Sequence, residues 1–99
     1  MDKILVDPIT GSKNFMLLWS KLESGSGTEL HTHSAEQAYF ILRGRLQVRI
    51  LGEEYNVGRG SAVYIPAGAE HSVTAEGKEA AVYVEVFAPP VEGYADKPH

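Results

Sequence analysis

The feature that most constrains this chain is a period of two. Leu46, Val48 and Ile50 alternate with Gln47 and Arg49, and Tyr83, Glu85 and Phe87 alternate with Val84 and Val86. Side chains of an extended strand face opposite sides in turn, so such runs predict half-buried strands. Turn residues interrupt them every several positions: Asp7-Pro8, Thr10 to Asn14, Gly25 and Gly27, Arg43-Gly44-Arg45, Leu51 to Glu54, Gly58-Arg59-Gly60, Pro66 to Glu70, Ala75 to Lys78 and Pro89-Pro90. Helical periodicity is absent. The pattern predicts an all-β sandwich or barrel, and a length of 99 residues leaves room for a single domain over 1–99.

Individual strands can be placed. Ile4 to Val6 is stopped by Asp7-Pro8, which assigns it to an edge or a terminus. Phe15 to Leu22 is apolar on both faces, with Phe15, Leu17 and Trp19 on one and Met16 and Leu18 on the other, so both faces need cover. Tyr39 to Leu42 reads as a buried strand, and Leu46 to Ile50, Tyr55 to Val57, Ala62 to Ile65, Ser72 to Thr74 and Ala80 to Phe87 follow. Residues 89–99 form a polar tail.

Composition excludes several functions. The formal charge is −4, which argues against a phosphate-backbone binder, so no nucleic-acid partner is expected. With no cysteine there is no disulfide, thiolate metal site or cysteine nucleophile. No basic leader or membrane-length apolar run is seen, so a cytoplasmic protein without a membrane partner is expected.

The chemistry concentrates in Gly25 to Gly44. If that segment is extended, His31 and His33 point the same way, and two imidazoles on one face suggest a metal ion between them. Gly25, His31, His33, Gln37 and Gly44 fall on the spacing G-x5-H-x-H-x3-E-x6-G. Gly60, Pro66, Gly68 and His71 fall on G-x5-P-x-G-x2-H-x3-N. On these residues the chain resembles a small single-domain cupin, a double-stranded β-helix of jelly-roll type related to the RmlC-like proteins. The resemblance implies a metal-site core over 25–75, with His31, His33, Gln37 and His71 holding one divalent ion. Gln37 replaces the motif's glutamate and can coordinate through its amide oxygen, while Ala75 replaces its final asparagine. Glu36 faces away from Gln37 in a strand and would reach a metal only through a bulge. Four neutral ligands leave a divalent ion its full charge, and imidazole with an amide oxygen suits Zn, Fe, Ni, Mn or Cu.

The last strand carries a second clue. Tyr83, Glu85 and Phe87 either line the cavity, or pack while Glu85 is solvated. Tyr39 shares a face with Gln37 and either binds substrate or belongs to the core. The segment Glu85-Val86-Phe87-Ala88-Pro89-Pro90 resembles the pectin-degradation cupins that linearise unsaturated uronates, in which an acid and a phenylalanine face the metal; Val91 stands where that subgroup often has arginine. The resemblance implies that Glu85 and Phe87 face the metal, which would make Glu85 the catalytic proton shuttle; with Tyr39 and Tyr83 on the cavity faces of their strands, the expected pocket residues are Tyr39, Tyr83 and Phe87. Three functions follow as expectations: a metal-dependent isomerase or lyase acting on a small polar or anionic molecule, a dioxygenase, or a non-enzymatic module for a small ligand. Arg43, Arg45, Arg49 and Arg59 read as surface charges, with the alternative that one rims the cavity mouth. The uncovered apolar strands predict a homodimer burying Ile4 to Val6 and Phe15 to Leu22.

Overall fold

A computed structural model describes residues 1–91; the greater part of the tail expected over 89–99 lies outside the described residues. Every alternating run becomes a strand: β1 (Asp2–Val6), β2 (Met16–Leu22), β3 (Glu36–Arg43), β4 (Arg45–Ile50), β5 (Glu53–Gly58), β6 (Ala62–Ile65), β7 (His71–Glu76) and β8 (Ala81–Ala88). They form a five-stranded sheet in the order β1-β2-β8-β3-β6 and a three-stranded sheet in the order β5-β4-β7. All pairings are antiparallel. No helix is present among the described residues, and none is long and apolar enough to cross a membrane. This is the all-β architecture expected, and β1 lies at a sheet edge, as Pro8 requires.

Alternation decides what each sheet buries. From the larger sheet Met16, Leu18 and Ser20 of β2, Gln37, Tyr39 and Ile41 of β3, and Tyr83, Glu85 and Phe87 of β8 point inward. Leu46 and Val48 of β4 and His71, Val73 and Ala75 of β7 close the other side. The inward apolar residues separate into two clusters. The larger includes Tyr39, Ile41, Leu46, Val48, Val73 and Tyr83. The smaller gathers Ile4, Met16, Leu18, Ala35 and Phe87, with Val91 against it.

One expectation is corrected. Tyr39 to Leu42 is buried on one face only: Tyr39 and Ile41 are enclosed, whereas Phe40 and Leu42 are 44% and 40% exposed. Four apolar residues in a row look two-sided in sequence, but the even-numbered ones share the outward, half-exposed face of β3. The valines of β8 also face outward.

Two tight connections hold the register. Leu51 and Gly52 both have positive φ, +50° and +84°, the two-residue geometry whose twist matches the flanking strands β4 and β5. Gly44, between β3 and β4, has φ +75°, and a Cβ there would sit 2.5 Å from the Ala80 carbonyl oxygen, so position 44 accepts only glycine.

Candidate metal centre

The segment bearing His31 and His33 is not the extended strand expected; it runs irregularly beside β7. Gly27 bridges Thr74 and His31 bridges His71, so four steps on one side face three on the other and the ladder is broken. A Cβ at Gly27 would come within 2.4 Å of the Val73 carbonyl oxygen, and glycine therefore permits the close approach. His31 and His71 exchange both backbone hydrogen bonds, at 3.0 and 2.9 Å. The Gly68 amide donates to the His33 carbonyl at 2.7 Å, tying the Pro66–Glu70 loop to the same segment.

These contacts bring three imidazoles together. Ring centroids lie 4.7 Å apart for His31 and His33, 4.3 Å for His31 and His71, and 5.3 Å for His33 and His71. One ligand atom from each falls within 4.8 Å of the others. The Nδ1–H of His31 donates to the Glu29 carbonyl at 2.7 Å, and that of His71 donates to the Ala69 carbonyl at 2.9 Å. A carbonyl only accepts, so both rings carry their proton on Nδ1 and present the Nε2 lone pair, as a metal ligand must. Burial holds His33 below the ordinary imidazole range, helped by the neighbouring His31 and His71. Burial also lowers His71, against the raising effect of its bond to Ala69. His33 and His71 are thus favoured in the neutral form that binds metals.

Gln37 lines a cavity with His31. Its Nε2 donates to Glu85 Oε1 at 3.1 Å, which turns the amide so that Oε1 is left over. Gln37 Oε1, His33 Nε2 and His71 Nε2 are all buried and without a hydrogen-bond partner among the described residues. Buried polar atoms are normally paired, and three orphaned acceptors at one site are what a chelated cation would satisfy. The donor set, imidazole nitrogens with an amide oxygen, fits a divalent transition metal.

Glu85 is 6% exposed, and Ser20 Oγ donates to its Oε2 at 2.7 Å. Burial pushes its pKa up to about 7; nearby Asp2 adds to the rise, while the bonds from Ser20 and Gln37 oppose it. These partners follow from the register. Glu85 lies opposite Leu18 and Tyr39, so Ser20 and Gln37 are its diagonal neighbours on β2 and β3. Glu85, Gln37, His31, Tyr39 and Tyr83 line one cavity of about 140 Å³, with Asp2 and Thr28 among its other walls. The rings of Tyr39 and Tyr83 meet edge to face at 5.3 Å.

Phe87 is placed differently. It is fully buried in the smaller apolar cluster and sets its ring against His33, with centroids 5.1 Å apart. It supports a histidine and lies outside the cavity lining. Val91 likewise packs on that cluster, its amide donating to Met16 Sδ at 3.4 Å. Arg43, Arg45 and Arg59 are exposed at the β3–β4 and β5–β6 turns and do not line this cavity, and Arg49 pairs with Glu54. Ser20 went unnoticed in the sequence, although a hydroxyl at the third inward position after Met16 and Leu18 marks a polar spot on a core face.

Fold and site together define a two-sheet β-sandwich that gathers histidines from two segments around a buried polar cavity. A family model described as the cupin domain matches residues 18–87, and the chain belongs to the cupin family. It is 35% identical over 69 residues to the uncharacterized protein SCO3923 of Streptomyces coelicolor, a match covering 70% of this chain and 65% of that protein. Its fold is similar to KdgF from Halomonas sp., with a TM-score of 0.82 and 21% identity over 92% of this chain and 79% of the other. The polyketide cyclase RemF of Streptomyces resistomycificus gives a TM-score of 0.80 at 23% identity, covering 90% and 64%.

Proposed function

We propose that the protein is a metal-dependent enzyme of isomerase or lyase type acting on a small polar or anionic molecule with a keto or sugar-like group. One observation carries this reading: Gln37, whose amide oxygen is buried without a partner, bonds through its NH2 to the buried Glu85 carboxyl, and both line a cavity with His31. A divalent ion held by His31, His33, His71 and Gln37 would supply Lewis-acid polarisation of a substrate oxygen. Glu85 accepts a proton from carbon next to that oxygen and returns it to a neighbouring atom, a role open to a carboxyl that burial pushes up and a bound cation would draw down. Ser20 and Gln37 hold its two oxygens in place. The tyrosines Tyr39 and Tyr83 shape the pocket, and its size favours a small substrate. The likeness of Glu85 to Pro90 to the uronate-linearising cupins supports the substrate class.

Solvent exchange tests the reading without a known substrate. Metal-loaded protein in D2O is mixed with a panel of small keto acids, uronates and aldoses, and deuterium incorporation is followed by NMR. Exchange is expected with the native protein and not with Glu85→Gln, at equal metal content. Equal exchange by both removes Glu85 from the mechanism. Oxygen uptake by the iron-loaded protein points instead to a dioxygenase, and ligand affinity without turnover points to a binding module. A homodimer is part of the same proposal: Leu5 and Phe15 are each 41% exposed at one edge of the large sheet, where a second copy would cover them.

A further inference from the structure

The end of the sandwich opposite the histidines holds a second cavity, of about 490 Å³, lined by Arg43, Arg45, Arg59, Glu79 and Leu42. Gln37 opens β3 and Arg43 ends it, and six residues at about 3.3 Å each put the two sites about 20 Å apart. The chain has four arginines, and three of them meet here. Arg49, the fourth, is ion-paired with Glu54; none of the three has an ion pair among the described residues. In a chain with 13 acidic against 9 basic residues, three cations beside Glu79, with Glu76 opposite Arg45 on β7, form a local reversal of sign.

The backbone builds this arrangement. The Arg43-Gly44-Arg45 turn is pinned on the β7–β8 connection, since Gly44 leaves no room for a Cβ beside Ala80. Arg45 pairs with Gly58 across β4 and β5, and a Cβ at position 58 would lie 3.0 Å from Arg45 Nη1. The guanidinium therefore lies over the bare glycine, next to Arg59. Solubility alone would be served equally by lysine at these turns. Arginine differs in its planar fork of donors, which matches the oxygens of a phosphate.

We propose that this cavity binds the phosphate group of a small soluble molecule, gripped by Arg43, Arg45 and Arg59. Three guanidiniums outnumber Glu79 and Glu76, which stands opposite Arg45 on β7, so the site favours an anion, and their planar forks match the several oxygens of a phosphate. The volume lies in the range of small-molecule sites, and Leu42 offers an apolar wall for the rest of the ligand. The inference is independent of the reaction proposed for the metal centre.

Calorimetry on the full, metal-loaded chain tests it, with inorganic phosphate and a hexose phosphate titrated at constant ionic strength in chloride. Saturable one-to-one binding is expected, weakened at least tenfold in Arg45→Gln/Arg59→Gln with metal content unchanged. As a readout needing no variant, phosphate should shift the arginine Nε–H resonances of the native protein. Absence of saturable binding, equal binding by the double variant, or unshifted arginine resonances would overturn the proposal. So would binding that disappears when the metal is stripped, which moves the phosphate to the histidines. Adsorption to phosphatidylserine vesicles without affinity for either soluble phosphate would also overturn it, in favour of a lipid surface.

Discussion

Glu85→Gln in the metal-free protein should change how stability depends on pH. In the native state the carboxyl titrates at about 7 instead of its ordinary 4.5, chiefly because burial penalises its charge. A raised folded-state pKa means the native protein holds the proton more tightly than the unfolded chain. The carboxyl therefore costs nothing below about pH 4.5 and destabilises increasingly as pH rises towards 7. The full span of the shift corresponds to about 3 kcal/mol, at about 1.4 kcal/mol per pKa unit. Between pH 5 and pH 8 the expected change is most of that span, since a small part of the loss has already occurred at pH 5. Glutamine keeps the shape, accepts from Gln37, can donate to Ser20 and carries no charge. Urea unfolding of chelator-treated native protein and variant at both pH values isolates this contribution, because the histidines titrate in both. The variant should gain about 2–3 kcal/mol on the native protein between pH 5 and pH 8. Stability curves that run parallel over that range would refute the argument that Glu85 is buried without a compensating cation.

His33→Ala or His71→Ala should lower bound metal, measured by elemental analysis, from stoichiometric to trace, and stoichiometric metal in either variant would count against the assigned ligands. Phe87→Ala removes a fully buried ring and should cost about 3–5 kcal/mol in urea unfolding, while loosening the metal through His33. Gly44→Ala places a methyl group against the Ala80 carbonyl at a positive φ and should cost about 2 kcal/mol or more by the same assay. Trp19→Glu on the outward face of β2 should convert the expected homodimer to a monomer in light scattering, and a native protein already monomeric at micromolar concentration would dispose of the interface.

Much of the fold is legible in the sequence because both of its signals are local. Period-two alternation marks β4 and β8, and Gly44 and Leu51-Gly52 fix turns within a few residues. The path of Gly25 to His33 was not legible. Whether it joins the sheet depends on a one-residue mismatch with β7, which no local pattern reports. The outward face of β3 was hidden for the same reason, since Phe40 and Leu42 differ from Tyr39 and Ile41 only by what lies across from them. At the site, motif spacing pointed to three histidines, and the structure brings them together. The partners of Glu85 depend on cross-strand register, and neither Ser20 nor the cluster of arginines from separate turns could be placed without it.

Register also bears on why glutamine and glutamate occur together here. Position 37 lies diagonally across from Glu85, within one hydrogen bond. A glutamate at 37 could not donate to that carboxylate, and two carboxylates sharing the spot would force one to keep a proton. The amide of Gln37 avoids the conflict, because its NH2 serves Glu85 and its oxygen remains free for a cation. Donation to a carboxylate also makes that oxygen a better ligand, as it does for a histidine backed by an acid. The negative charge that the family motif places on a ligand is thus displaced one residue outward, onto Glu85. There, in the proposed mechanism, it would balance part of a bound cation's charge and, not being a ligand itself, would keep the freedom to move a proton.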